Sequence, residues 1–567
     1  MSSNNDGPMV PVPVDDPLRL AWYECNDYGN GRRLEAIAKG RLKWVDDKAW
    51  VAWDDKRWSE REGPHRARQL AHEVAMHLHD EAAALGELIG DPKAPDGEAL
   101  RERFGEWCTP ARALDRLTQL HRHAIKSGNA NATTNMLLQA RDLVSMRAWS
   151  EDFDRDPLTY NVLNGTLRFR QNDSGRWIVK WQQGHEPRDM LMQIANVEYD
   201  PKATCPQWTE RLEFVQPNPE VRAVFPRMYG QTLTGLTDCE EFYVHKGRGG
   251  DGKTKTHEIL CDLHGDYYRH SPVKTFLQAS FQKSGSEHRS DLVRLSGDIR
   301  FVLCDEPPPR VTWDGETIKQ VTGGGTLTAR GSGEKTELTF KPRWKLFVEV
   351  NPLPSMPSDD KGFRRRFRLI LWDVDIRLTP AGFEPPAQLR ERLLREKSGI
   401  LNWMIAGCLE WLGDRRVPMP DVETEALTDF WAQASPLGEW IDARCDLTDR
   451  DAVTPSKVLL DDFKAWMERN DFDEEQRKKW NATKFGRDLT QRQIIGTKDR
   501  RGNKVRRGIK FREEDPFAAG GAMSPADRPS GGSAEPTANF GGDQGMARGS
   551  ADDFLSHDDD IDPLGDD

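Results

Sequence analysis

The sequence predicts an α/β fold, and three features carry that expectation. The apolar stretch Phe242-Tyr243-Val244 runs into Gly247-Arg248-Gly249-Gly250-Asp251-Gly252-Lys253-Thr254, a glycine-rich turn ahead of a helix-forming segment, Thr256 to Leu263, that stops at Gly265. A second apolar stretch, Ile299 to Cys304, ends in Asp305 and Glu306. A third, Lys345 to Val350, ends in Asn351. Short apolar runs with polar tips, separated by helical segments, read as buried strands of a compact sheet.

The first element has the spacing G-x-x-x-x-G-K-[ST] between a strand and a helix, which points to a nucleoside triphosphatase. Glycines let backbone N–H groups turn inward around phosphate oxygens, and the helix that follows offers its positive end. Lys253 reaches the β- and γ-phosphates, and the Thr254 hydroxyl suits Mg²⁺. Gly247, Gly249 and Gly252 also spell G-x-G-x-x-G, but a dinucleotide fold asks for an acidic residue closing a second strand about twenty positions on, and no such strand is evident. Asp305 lies 52 residues beyond Lys253 and is expected to hold Mg²⁺, directly or through water, while Glu306 polarises the attacking water. Asn351, 46 residues further, is expected to orient that water.

With these three elements in this order, followed by paired arginines, the chain resembles the superfamily-3 helicases, specifically the phage and plasmid primase-helicase group related to the poxvirus primase-helicase. Further segments carry the resemblance: Asn161-Val162-Leu163-Asn164-Gly165-Thr166-Leu167, Val197-Glu198-Tyr199-Asp200-Pro201, Cys205-Pro206-Gln207-Trp208, Ile318-Lys319-Gln320-Val321-Thr322-Gly323-Gly324, Asn351-Pro352-Leu353-Pro354 and Gly399-Ile400-Leu401-Asn402-Trp403. It covers roughly residues 150 to 510. Asp251 stands where the family usually has Asn, Gly325 where it has Asp, and Leu371-Trp372 where it has Pro-Phe. The resemblance implies an AAA+-like P-loop core that hydrolyses ATP with Mg²⁺ at the subunit interfaces of a homo-hexameric ring. It also implies an arginine supplied in trans, for which Arg365 and Arg366 match by register and Arg364 is adjacent. Alternating segments around Gly331-Ser332-Gly333, from Thr326 to Phe340, suggest a hairpin. By family position its basic residues, Lys335 at the tip and Arg330 at the base, with Lys319 nearby, would grip DNA phosphates.

Composition excludes some classes. The 567 residues are 37% hydrophobic and 31% charged, without an apolar run of about eighteen residues or a signal peptide, so a cytoplasmic protein that spans no membrane is expected. Eight cysteines contain no C-x-x-C pair, which argues against a zinc ribbon and a disulfide framework. A helicase without its own primase domain is therefore expected.

The expected organisation is a Trp-rich segment at 1–60, a helical region at 61–150, a lead-in at 151–235, the ATPase at 236–415 with a helical lid over 387–412, a basic winged-helix-like domain at 436–514 and a disordered tail at 515–567. From Arg477 to Arg512 the net charge is +12, and Lys498, Arg500, Arg501, Lys504, Arg506 and Arg507 cluster on an expected hairpin that suits a phosphate backbone. The tail carries −10 of the chain's net −12, so overall acidity does not argue against nucleic acid. The expected partners are single-stranded or forked DNA, further copies of the chain, and a separate primase or host replication proteins docking on the acidic tail. Two alternatives are a replication-initiation protein that uses ATP only for assembly and a packaging or remodelling ATPase.

Overall fold

Five parallel strands organise the centre of the chain, and the inner ones are buried and apolar on both faces. The five are β1 (Phe242–Gly247), β2 (Tyr268–Ser271), β3 (Phe301–Cys304), β4 (Lys345–Val350) and β5 (Phe367–Trp372), in the spatial order β5-β1-β4-β3-β2. Val244 of β1 lies opposite Val348 of β4 on one side and Leu369 of β5 on the other. Phe347 lies opposite Leu303, and Leu303 opposite His270. The order matters because it puts the end of β4 beside the end of β1, with the end of β3 one strand further. The computed structural model describes residues 16–278, 289–308, 311–331, 337–351, 353–354, 360–378, 384–433, 436–470, 472, 474–499 and 501–512. Residues up to Lys510 make one compact unit, and beyond it only Phe511 and Arg512 are described.

Alternation along the strands divides the core in two. Tyr243, Phe301, Phe347, Ile370 and Trp372 face one layer, where Tyr229 stacks on Phe347 with ring centroids 5.5 Å apart and Phe347 on Tyr243 at 5.0 Å. Phe242, Val302, Leu346, Val348 and Leu369 face the other, against Trp313 and Phe363. Burial on both faces is the condition under which a parallel sheet is stable, and it holds the strand ends rigidly. The first layer is closed by the helix Pro219–Gly230 and by α3 (Lys397–Asp414). A Cβ at Gly407 would fall 2.0 Å from the Pro226 carbonyl oxygen, so these helices touch through bare backbone. A helical lid was expected over residues 387–412. The segment divides into α2 (Pro386–Leu394) and α3, and α3 is a wall of the core with Ile400, Leu401, Met404, Cys408 and Trp411 buried.

Ahead of the sheet, the strands Leu42–Val45, Ala49–Trp53 and Trp58–Ser59 form an antiparallel sheet beside the helix Gly63–Ile89. Arg33 and Glu81, both fully buried, pair at 2.9 Å, and Leu20 and Glu24 carbonyls accept the remaining guanidinium donors. The Thr159–Val162, Gly165–Gln171 and Trp177–Gln183 strands form a second antiparallel sheet. After the core come helices Ser456–Arg469 and Ala482–Gln491 and a sheet in the order Val453–Pro455, Lys504–Arg507, Gly496–Lys498. The expected hairpin is present there, with Thr497 opposite Val505. Leu327–Ala329 and Leu338–Phe340 also pair antiparallel, Thr328 opposite Thr339. Lys335, Arg500 and the acidic tail lie outside the described residues. Among the described residues, no helix is long and apolar enough to cross a membrane.

Glu423, in the helix Asp421–Gln433, is 2% exposed. One carboxylate oxygen accepts the Leu371 N–H at 3.1 Å and, among the described residues, the other has no hydrogen-bond partner. Burial, with Asp373 nearby, pushes its pKa from 4.5 up to about 7. A raised folded pKa gives stability that is full at acid pH and is lost as pH rises through about 7. Glu423→Gln keeps an acceptor without the charge. Its Tm should exceed that of the wild type at pH 8 and converge with it towards pH 5, as read by calorimetric scans. A variant less stable than wild type at pH 8 would contradict this.

Candidate functional site

The loop after β1 is shaped by its glycines. Gly249, Gly250 and Gly252 have φ of +84°, +70° and +92°, a region that side-chain-bearing residues rarely adopt, and α1 (Lys253–His264) starts directly after them. This geometry turns N–H groups into the loop's concavity at a helix N-terminus, a combination that favours anions. Asp251, 3% exposed, now serves those donors itself: its carboxylate accepts from Gly249 N and Lys253 N at 3.2 Å and from Lys253 Nζ at 2.9 Å. The loop is thus folded around a carboxylate of its own. Arg248 is exposed.

Neighbouring strand ends complete the site. Lys253 Nζ also donates to Asn351 Oδ1 at 2.8 Å, and Asn351 Nδ2 donates to Glu306 Oε2 at 2.8 Å. The structure therefore brings Lys253, Asn351 and Glu306 into one hydrogen-bonded line at the C-terminal edge of the sheet. Asp305 is turned towards His270, whose Nε2 is 2.6 Å from Asp305 Oδ1. The Thr254 hydroxyl donates to Glu349 Oε2 at 2.5 Å, so its partner is not Asp305. Asp305, Glu306, Glu349 and Thr254 nevertheless line one cleft of about 490 Å³. A second cavity, about 340 Å³, opens over the loop and is walled by Arg211, Ile376, Arg377, Pro386 and Leu389.

Sequence reasoning missed Glu349 and its support. Burial alone would push the Glu349 carboxyl up, but the hydrogen bond and charge of His257, then Thr254 and Lys253, hold it below its ordinary value. His257 Nδ1 is 2.6 Å from Glu349 Oε1, and its Nε2 is 3.0 Å from the Tyr229 hydroxyl. The signal was there: Glu349 is two residues before Asn351 on one strand, and His257 is one helical turn after Lys253. Arg377 was also missed. It donates from Nη2 to the Gly249 carbonyl at 3.2 Å and pairs with Asp375.

Several basic candidates are placed differently from the expectation. Arg366 is 6% exposed, donates to Thr322 Oγ1 at 3.1 Å and pairs with Glu240 at 2.8 Å, so it points into its own chain. Arg365 is the exposed member of the pair and also engages Glu240, while Arg364 lies 4.8 Å over the Trp431 ring. Lys319 pairs with Asp360 at 2.8 Å. In the basic hairpin, Arg506 is buried and donates to Thr490 Oγ1 and to the Ile494 and Gly486 carbonyls at 2.7–2.9 Å. It fastens the hairpin to the helix Ala482–Gln491. Lys498, Arg501, Lys504 and Arg507 stay exposed, whereas Arg330 is partly buried.

The D5 N-terminal-like family matches residues 31–217, which reaches back through the helical region whose role the sequence left open. Three viral proteins, each named "Putative helicase", are similar in sequence. One from Acanthamoeba polyphaga mimivirus is 26% identical over 325 residues, 57% of this chain and 31% of that one. One from Frog virus 3 is 26% identical over 222 residues, 37% and 22% of the two chains. One from Invertebrate iridescent virus 6 is 22% identical over 375 residues, 60% and 38%. The chain thus spans less than two fifths of the length of each of these relatives. The apo structure of the NrS-1 C-terminal region aligns with 61% of this chain and 94% of its own at 12% identity and a TM-score of 0.32, too low to carry a fold argument. The sheet and its loop define a mixed α/β protein. In sequence the chain is similar to the D5 N-terminal-like family over residues 31–217 and to these viral proteins over longer stretches.

Asp251 occupies donors that would otherwise be open to an anion, so Asp251→Asn should bind pyrophosphate at least about threefold more tightly in calorimetric titration. Equal or weaker binding would contradict the competition.

Proposed function

We propose that the chain is the ATP-dependent motor of a DNA helicase. The observation that carries this is the line from Lys253 through Asn351 to Glu306, each link 2.8 Å, at the mouth of a glycine-rich loop. It joins a cation suited to phosphate oxygens to a carboxylate suited to a water proton, with an amide between them. When a nucleotide enters, Lys253 exchanges Asp251 for the β- and γ-phosphates. Asn351 and Glu306 face the terminal phosphate, where Glu306 accepts the proton of the attacking water and Asn351 fixes that water's approach.

The residues present fit Mg²⁺. Thr254, Glu349 and Asp305 offer oxygen donors in one cleft, and among the described residues there is no cluster of three or more His, Cys, Asp or Glu arranged as an all-protein metal cage. A divalent cation with few protein ligands and phosphates and waters for the rest is how Mg²⁺ is usually held. Bound there, it would neutralise charge on the phosphates. Glu349, fixed by His257 and Tyr229, would set the Thr254 hydroxyl.

Arg365, exposed and linked only to a surface carboxylate, is the member of the arginine pair suited to reach a neighbouring subunit in a hexameric ring. The Arg330 hairpin and the exposed Lys498, Arg501, Lys504 and Arg507 suit sequence-independent contact with single-stranded or forked DNA. The C-terminal helices and hairpin suit a winged-helix role.

The test is ATP hydrolysis and forked-DNA unwinding by wild type, Lys253→Ala and Glu306→Gln. Lys253→Ala should lose nucleotide affinity. Glu306→Gln should bind ATP yet hydrolyse it at least roughly a hundredfold more slowly. Near-normal turnover by Glu306→Gln would overturn the assignment.

A further inference from the structure

Six arginines are buried among the described residues: Arg33, Arg116, Arg211, Arg300, Arg366 and Arg506. Five have acceptors. Arg33 has Glu81, Arg300 has Asp298 at 2.6 Å, Arg366 has Thr322 and Glu240, Arg506 has Thr490 and two carbonyls, and Arg116 bonds the Ala21 carbonyl at 2.5 Å. Arg211 is different. It is 9% exposed, and among the described residues no hydrogen-bond acceptor or ion-pair partner meets its guanidinium. Its guanidinium carbon lies 5.4 Å from the Phe214 ring centroid. Glu384 is the carboxylate near enough to be felt, but it is committed to Arg392, Oε2 to Nη2 at 2.8 Å and Oε1 to Nε at 3.2 Å.

An arginine buried without a counter-charge is costly unless something else supplies the anion. Burial draws the Arg211 pKa below its ordinary value, and Glu384 acts in the opposite sense. The guanidinium faces the 340 Å³ cavity over the loop. A Cβ on Gly252 would lie 3.2 Å from Arg211 Nη2, 2.6 Å from Val215 Cγ1 and 3.1 Å from Ile376 Cδ1. Arg211 therefore stands at the seam between the phosphate cradle, at the N-terminus of α1, and an apolar wall of Val215, Ile376, Pro386 and Leu389. That wall is opposite in character to the Asn351–Glu306 side, where the transferred phosphate is expected.

We propose that Arg211 is a nucleotide-binding residue that holds the non-transferred phosphates while the adjoining apolar wall seats the base. This rests on the nucleotide-site reading above and assigns its ligand-binding half. Because Arg211 would touch phosphates present in ATP and ADP alike, it contributes binding common to both and little to the chemical step.

The experiment is calorimetric titration of MgADP and MgATP into wild type, Arg211→Ala, Arg211→Lys and Lys253→Ala, with thermal scans with and without MgADP. Arg211→Ala should weaken both nucleotides by a similar factor, roughly tenfold or more. Arg211→Lys should fall between the two. At saturating ATP, kcat of Arg211→Ala should stay within about threefold of wild type while KM rises. Unliganded Arg211→Ala should melt no lower than wild type, because the charge it removes has no partner, yet gain less from MgADP. A merely structural arginine would instead lower the unliganded Tm and leave the affinity of the folded protein unchanged. If Arg211→Ala does not fold, Arg211→Lys with wild-type affinity and an unchanged Tm gain overturns the proposal. Wild-type affinity in the Arg211 variants together with lost binding in Lys253→Ala overturns Arg211's role alone. Undiminished binding in Lys253→Ala overturns the nucleotide site itself.

Discussion

An ammonium group held between a carboxylate of its own loop and an amide from another strand governs this molecule: Lys253 bonded to Asp251 and Asn351. The pair is almost wholly buried, with Lys253 5% and Asp251 3% exposed. Removing one partner of such a pair leaves the other charge stranded, so the loop's conformation and its charge balance are one property. The interaction also requires the sheet to have its observed order. If β4 did not lie next to β1, Asn351 would not meet Lys253, and Glu306, delivered by β3 beyond it, would have no link to the loop.

That order is secured away from the site. Tyr229, Tyr243 and Phe347 stack through one core layer, and Phe242, Phe363 and Trp313 fill the other. A parallel sheet clamped on both faces presents its C-terminal edge as a rigid rim, and rigid rims allow side chains from distant parts of the chain to be set within hydrogen-bond tolerance. Behind the rim, Tyr229 and His257 carry the same order inward to Glu349, so the residue facing Thr254 is fixed by a core aromatic.

Much of the site was legible in the sequence because its parts are local patterns. The loop spacing, the Asp305-Glu306 end of one strand and the Asn351 end of another are contiguous, and order along the chain was enough to bring them together. Partner choice was not legible. Arg366 and Arg506 read as surface cations, yet each is buried because acceptors from elsewhere surround it, Thr322 and Glu240 for one and Thr490, Ile494 and Gly486 for the other. Arg211 is the reverse case, a cation in an ordinary amphipathic helix whose burial without a partner appears only in three dimensions. How residues 387–412 divide was not legible either: α2 lines the cavity over the loop, while α3, apolar around most of its circumference, is taken up by the core.

The most direct test is an experimental structure with a non-hydrolysable ATP analogue and Mg²⁺. The expected result is that Lys253 Nζ has left Asp251 for a phosphate oxygen, with the metal beside Thr254 and the terminal phosphate facing Asn351 and Glu306. An analogue bound elsewhere, with the Lys253–Asp251 pair intact inside an empty loop, would contradict the assignment of this loop as the nucleotide site.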